Sequence, residues 1–423
     1  MKKRVSFAVT CICIIALATL PGCFKDSIQR TYTYTYYKPV YKTTEEVRQN
    51  IRSNAPRPIE RPGKIFLVGD YIFLNEIDKG VHVIKNTDPS HPIVAAFIDI
   101  PGNMDIAVKD NILYADLYTD VVAIDISNPQ QAVMKKIVEG VFPHRYYNTA
   151  FLADTTKVIA TWEKRDTTIT EDANVQRWLQ EDRSFFMTYA AVGSNTGTTA
   201  SVAPYGIGGS MARFTIAKDR LYTVSNTDLD VFNVSTAADP KKVTTRNIGW
   251  NIETIYPFMN QLFIGSQSGM YVYNINDPDN PVQSGQFNHI RSCDPVIADQ
   301  NFAYVTLRSG TACQGFTNEL DILKLNNSND PSLVKVYQFN NPHGLAKEGA
   351  TLFICDGSAG VKIYNASDVM NLQEVKHITG IEAYDVIAFN GRALVVAADG
   401  LYQYSYADLS NIRLLSKLSV LKQ

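Results

Sequence analysis

Several absences narrow this 423-residue chain before any motif does. Neither charge sign is in excess: 40 Lys and Arg face 42 Asp and Glu, a formal −2 at pH 7. No nucleic acid or other polyelectrolyte partner is implied. Hydrophobic residues at 45% and charged ones at 19% exclude disordered, collagenous and coiled-coil classes. The six cysteines contain no CxxC pair, so neither a zinc ribbon nor a thioredoxin-type site is indicated. No G-x-S-x-G elbow, H-E-x-x-H helix, Walker loop or GxGxxG turn occurs. The acidic stretch Asp277 to Asn280 reads as a turn, because a calcium loop needs more oxygen ligands. No cofactor and no metal is expected. Met (8) and Trp (3) are scarce while Tyr (23) and Phe (19) are frequent, a mix that favours strands.

The N-terminus is a targeting segment. Met1 to Arg4 is basic, and Val5 to Leu20 is an apolar run of 16 residues, short of the roughly 20 needed to span a bilayer. Leu20-Pro-Gly-Cys23 then resembles the lipobox of bacterial lipoproteins. The resemblance implies cleavage after residue 22, acylation of Cys23 with palmitate-type chains, and a membrane anchor through that lipid. Losing residues 1–22 removes three positive charges and takes the formal charge from −2 to −5. Phe24 is not the aspartate that retains enteric lipoproteins at the inner membrane, and Lys25-Asp26 loosely resembles the charged export signal of surface lipoproteins in Bacteroidetes-type bacteria. The expected location is the cell envelope, at the outer membrane or cell surface. In that oxidising setting Cys293 and Cys313 can form a disulfide.

Beyond the leader, a short apolar dyad recurs: Ile72-Phe73, Leu113-Tyr114, Val158-Ile159, Leu221-Tyr222, Leu262-Phe263, Ala303-Tyr304, Leu352-Phe353 and Leu394-Val395. Successive copies lie 41, 45, 63, 41, 41, 49 and 42 residues apart. Each dyad sits in a strand-like run preceded by a hairpin turn such as Asn390-Gly391, and followed by a third run and a polar turn, often carrying Pro (Pro89, Pro129, Pro240, Pro278, Pro331). Four strands per unit of about forty residues predicts an all-β fold, a single β-propeller of four-stranded blades. One such sheet is apolar on both faces and is stable only when stacked against others. The dyads predict eight blades: 64–103, 104–143, 144–203, 204–249, 250–291, 292–342, 343–380 and 381–421. The third lacks its Pro-bearing turn and carries an excursion, 163–210, with a short helix over Asn174 to Glu181 and a Gly/Ser/Thr-rich run from Gly193 to Ser201. Seven blades plus an inserted subdomain is the alternative.

The strand–turn pattern, with Asp125-Ile-Ser-Asn-Pro129 in the second unit, resembles the LVIVD-repeat β-propellers of Bacteroidetes-type bacteria over 64–421. The resemblance implies a fold and an envelope location, not a reaction. Residues 23–63 form a lipidated leader. Its Thr31 to Tyr36 alternation predicts a strand, with Tyr32, Tyr34 and Tyr36 packed on the body as a strap, and Thr43 to Glu46 predicts a capping box. Pro56, Pro58 and Pro62 mark an extended spacer. The last unit owns a fourth run, Arg413 to Val420, so N-terminal strand exchange is not needed for closure.

In a propeller, the loops entering each innermost strand and those between second and third strands open on one face. Polar residues there predict a pocket of mixed charge: Glu76, Asp105, His144, Arg145, Trp162, Arg291, Asp294, Arg308, His343, Asp356 and Asp385. Asp105, Asp294 and Asp385 share one position in the repeat, which predicts a ring. Trp162, Trp178, Phe185, Phe186 and Tyr189 offer stacking surface on the excursion. The expected function is a non-enzymatic envelope lipoprotein whose propeller is a binding scaffold for a glycan or protein. The competing reading is an extracellular carbohydrate-active enzyme using Glu76, Asp105 and Asp385. A structural or assembly role in the envelope is the third.

Overall fold

The computed structural model describes residues 29–142, 157–172, 206–288, 295–310, 317–326 and 330–421. They fall into two compact units, one holding 29–40 and 161–172, the other 41–160 and the remainder.

The larger unit is all-β. Seven four-stranded antiparallel sheets follow one another along the chain: blade 1 (62–99), blade 2 (106–138), blade 3 (214–247), blade 4 (252–288), blade 5 (296–338), blade 6 (345–378) and blade 7 (383–419). Seven blades stand where eight were expected: the described part of 144–203, residues 157–172, belongs to no blade, which agrees with the seven-blade count of the alternative. Blade 2 packs directly on blade 3. Tyr114 Oη donates to the Ala237 carbonyl at 2.7 Å, and Lys109 and Lys136 meet Asp219 and Asp239 at 3.3 and 3.1 Å. No room is left between them. The Val158-Ile159 dyad does lie in a strand, Lys157–Asp172, but that strand pairs with Gln29–Thr43 in a separate two-stranded ribbon. The short helix and the Gly/Ser/Thr-rich run expected in the excursion lie outside the described residues.

The dyads explain why the sheets stack. Adjacent strand residues point to opposite faces, so Leu113 and Tyr114, Leu221 and Tyr222, and Ala303 and Tyr304 address the two neighbouring blades, and all six are fully buried. Tyr222 repeats the reach of Tyr114, its hydroxyl donating to the Pro278 carbonyl of blade 4 at 2.9 Å. In all seven blades the outermost strand carries one extra residue against the third, a bulge at Ala95, Lys135, Val243, Ser284, Val334, Val375 or Leu415. Such bulges bend a strand and increase its twist. The turns before these strands are held by an Asp or Asn whose side chain accepts the amide two residues on, as Asp125, Asn233, Asn274 and Asn365 do at 2.8–3.0 Å. The last two units make this turn without Pro.

Blade 7 supplies all four of its own strands, as expected, and closure is by packing. Ile65, Leu67, Ile72 and Leu74 of blade 1 share a core with Ile387, Leu394, Val396 and Leu401 of blade 7. The side-chain amides of Asn86 and Gln403 bond each other reciprocally at 3.0 and 2.7 Å, 317 residues apart in sequence. Ile59 bridges to Val420 beside this seam.

The leader's helix, Thr44–Arg48, starts in the expected capping box, and Arg48 bonds Asp120 of blade 2 at 2.7 Å. The expected strap is a different segment: Arg52–Asn54 adds a strand to the outer edge of blade 1. Tyr32, Tyr34 and Tyr36 are not packed away; they stand exposed on the ribbon. The proline spacer is docked, with the Arg57 guanidinium over the Phe97 ring of blade 1.

Candidate functional site

At the entrance of each innermost strand the repeat places one residue beside the propeller axis. Read from blade 7 round to blade 4, four blade boundaries on, these are Asp385, Lys64, Asp105, Arg213 and Glu253, alternating in charge. Arg308, from the loop after the second strand of blade 5, follows Glu253 and continues the alternation. His343 enters blade 6, beside Arg308.

These groups meet. Lys64 Nζ lies 4.0 Å from Asp105 Oδ2 and feels the charges of Arg213, Asp385 and Glu253. Asp105 accepts amide hydrogens from Ile106 at 2.9 Å and from Arg213 at 2.7 Å, while the Arg213 guanidinium Nε donates to the Glu253 carbonyl at 3.2 Å. Gln267 Nε2 donates to Glu253 Oε1 at 2.8 Å. Alternation lets each charge be offset by two neighbours, which offsets part of the cost of taking ions out of water.

A segment returning from the excursion threads this axis. Ile207–Gly208 pairs with the inner edge of blade 1, the Gly206 amide bonds the Val108 carbonyl of blade 2, and Ile255 of blade 4 bonds the Ala212 carbonyl. Ser210 Oγ accepts from the Leu345 amide of blade 6 at 3.5 Å, and Lys64 Nζ donates to the Met211 carbonyl. Ser210 and Met211 have no exposed surface. Gly206 and Gly208 are required by space: a Cβ at residue 206 would stand 2.3 Å from both Phe66 and Val68 side chains, and one at residue 208 would stand 2.8 Å from the Phe66 ring.

Burial then governs the electrostatics. It pulls the Lys64 ammonium down to about 8, against the pull of Asp105. The Asp105 carboxyl is pushed up by burial, against Lys64 and two amide bonds. Asp385 is pushed well above the ordinary carboxylate range by burial, with Asp105 adding and Lys64 opposing. Neither of its carboxylate oxygens accepts a hydrogen bond of ordinary geometry, and the Val386 amide beside it opposes the rise. His343 is pulled down to about 3, by burial first and then by Arg308, so its imidazole is neutral; its ring lies edge-on to Tyr384 at 5.3 Å.

Of the residues expected in a pocket of mixed charge, some meet and some do not. Asp105, Arg308, His343 and Asp385 do converge, but Asp105 and Asp385 have no exposed surface and Arg308 and His343 under a tenth of theirs. Glu76 is not in this cluster. It is buried in blade 1, where it accepts the Glu60 amide at 3.0 Å, the Arg61 amide and His82 Nε2 at 2.9 Å. Asp116 and Asp356 fill the same capping role in blades 2 and 6, the latter accepting the Asn340 and Asn341 amides and meeting Lys362 at 2.8 Å. A carboxylate at the end of a second strand ties down the loop arriving from the previous blade. Trp162 belongs to the ribbon unit and is exposed there. His144, Arg145, Arg291, Asp294, Cys293, Cys313 and Cys23 lie outside the described residues. Cys355 is a fully buried thiol.

Lys64, Arg213 and Glu253 went unread in the sequence, although each stands, like Asp105 and Asp385, just before an apolar strand. Trp250 was missed as well. It lies on the loop from blade 3 into blade 4, on the axial face, and 76% of its surface is exposed. Large aromatics are enriched at recognition surfaces.

No family model matches the chain, and no curated protein matches it. Among solved structures, a protein from Lactobacillus plantarum aligns at 11% identity over 85% of this chain and 97% of its own, with a TM-score of 0.51. The computationally designed protein Ika8 aligns at 10% identity over 86% and 91%, with a TM-score of 0.50. At these identities the likeness shows the β-propeller fold alone.

Proposed function

We propose that this chain is an envelope lipoprotein of the LVIVD-repeat kind, held by lipid on Cys23. In this reading its propeller binds a glycan or protein partner through the loops of the axial face. The observation that carries the scaffold reading is the state of the axial charges. They are spent on one another and on the 206–212 segment, with their carboxylates out of solvent, while Trp250 stands in solvent on the same face. A carbohydrate-active enzyme needs carboxylates that touch substrate. One observation favours that second reading: Asp105 and Asp385 occupy equivalent positions and both have raised pKa values, a mark of acid catalysts. Their burial weighs against it.

The test is a glycan array and an envelope pull-down with residues 24–423, repeated with Trp250→Ala, Trp162→Ala and Asp105→Asn. The scaffold reading expects a bound partner whose retention drops at least tenfold in Trp250→Ala. Product release from a glycan that stops in Asp105→Asn or Asp385→Asn would replace it with the enzyme. Palmitate incorporation that is lost in Cys23→Ser tests the anchor.

A further inference from the structure

The ribbon formed by Gln29–Thr43 and Lys157–Asp172 has two faces that differ over residues 31–36. On one, hydroxyls pair rung by rung: Thr31 with Thr170 at 3.1 Å, Thr33 with Thr168 at 3.0 Å, and Thr35 Oγ1 donating to Asp166 Oδ1 at 2.5 Å. The exposed Tyr37 and Trp162 lie farther along this face. Because side chains alternate, Tyr32, Tyr34 and Tyr36 share the other face, where they are 52%, 48% and 42% exposed. The register of those rungs puts Arg165 opposite Tyr36, and Arg165 is steadied by Glu163 at 2.8 Å.

Two strands alone are marginal in water, so a row of three exposed tyrosines calls for a covering surface. Tyrosine suits a boundary with an apolar side and a wet side, its ring entering the one and its hydroxyl the other. Chain length points to which boundary. Five residues separate Cys23 from Gln29, and at about 3.5 Å per residue the ribbon begins within about 20 Å of an acyl chain on Cys23. We propose that the tyrosine face of this ribbon lies in the headgroup layer of the phospholipid bilayer that holds Cys23. The inference rests on the lipid-anchor reading above. The ribbon would then be a second contact with the bilayer beside the lipid.

The test separates the ribbon from the anchor. Residues 24–423 with an N-terminal hexahistidine are tethered to phosphatidylethanolamine–phosphatidylglycerol vesicles through nickel-chelating lipid, which replaces the acyl chain. Hydroxyl-radical footprinting by peptide mass spectrometry then reads each tyrosine. Oxidation of Tyr32, Tyr34 and Tyr36 is expected to fall at least about threefold on tethering, while the exposed Trp250 and Met259 are unchanged. Without a tether, the Tyr32→Ser, Tyr34→Ser, Tyr36→Ser triple variant is expected to partition onto these vesicles about tenfold less than the parent, with the same melting curve. Unchanged oxidation on tethering overturns the proposal. So does equal partition of the triple variant, or the same protection in vesicle-free protein at high concentration, which would assign the face to a second copy. None of these outcomes depends on whether Cys23 is acylated, which the Cys23→Ser labelling decides on its own.

Discussion

Replacing Asp385 with Asn should change how stability responds to pH. The Asp385 carboxyl has no exposed surface and no well-formed hydrogen bond, and burial raises its pKa well above 3.8. In the unfolded chain that pKa is about 3.9. Between the two values the folded protein holds a proton that the unfolded chain has lost, so unfolding releases it. Stability therefore falls as pH rises through this window, by about 1.4 kcal/mol per pH unit for a whole proton, and levels off above the folded pKa. Asn has the shape of the protonated acid and no proton to lose. Urea denaturation of both proteins over a pH series rising from about 4 should show the difference moving toward the variant as pH rises. The series stops below the point at which Lys64, at about 8, begins to titrate. A difference that stays constant across the range would refute the reasoning. Asp385 would then be ionised throughout, and the buried charge pattern would need another partner.

Other substitutions test neighbouring parts of the fold. Lys64→Met removes the ammonium beside the Asp105 carboxylate and should cost about 3–5 kcal/mol in the same assay at pH 7; a neutral effect would mean that Asp105 is already uncharged. Tyr114→Phe removes the bond to the Ala237 carbonyl and should cost about 1 kcal/mol, whereas Tyr114→Ala should cost about 3–5 kcal/mol. Gly206→Ala forces a methyl group against Phe66 and Val68, so it should cost about 1–3 kcal/mol and speed proteolysis around residue 206. Unchanged cleavage would argue that the axial segment sits elsewhere. Trp250→Ala should leave the melting temperature unmoved, since its ring is mostly in solvent.

The repeat was legible because a propeller imposes the same demand on every blade. A second strand must be apolar on both faces, and that leaves adjacent buried residues such as Leu221 and Tyr222 at a spacing a reader can count. The blade count was overread because the Val158-Ile159 dyad obeys the same rule locally: a strand buried near one end looks alike whether its partner is a blade or a leader. What decides between them is the contact of Tyr114 with Ala237, 123 residues away, and no local pattern carries that. The ring was half legible. Asp105 and Asp385 drew attention as like residues at like positions, but the alternation runs through unlike residues, Lys64, Arg213 and Glu253, which a search for repeated identity passes over. Glu76 was misplaced because a carboxylate at the end of a second strand can point to the axis or cap the incoming loop. The amides of Glu60 and Arg61, which Glu76 accepts, decide for capping, and they come from the leader. Burial of the axial charges could not be read at all, since part of it comes from the segment 206–212 folding back across the ring.

The ring's closure rests on a seam between residues 317 positions apart, and a double-mutant cycle on it is the most direct test. Asn86→Ala, Gln403→Ala and the double variant would be compared with the parent by urea denaturation. Two reciprocal buried amide bonds between blades 1 and 7 predict a coupling of about 1–2 kcal/mol. Effects that simply add, to within about 0.5 kcal/mol, would contradict a closed seven-bladed ring.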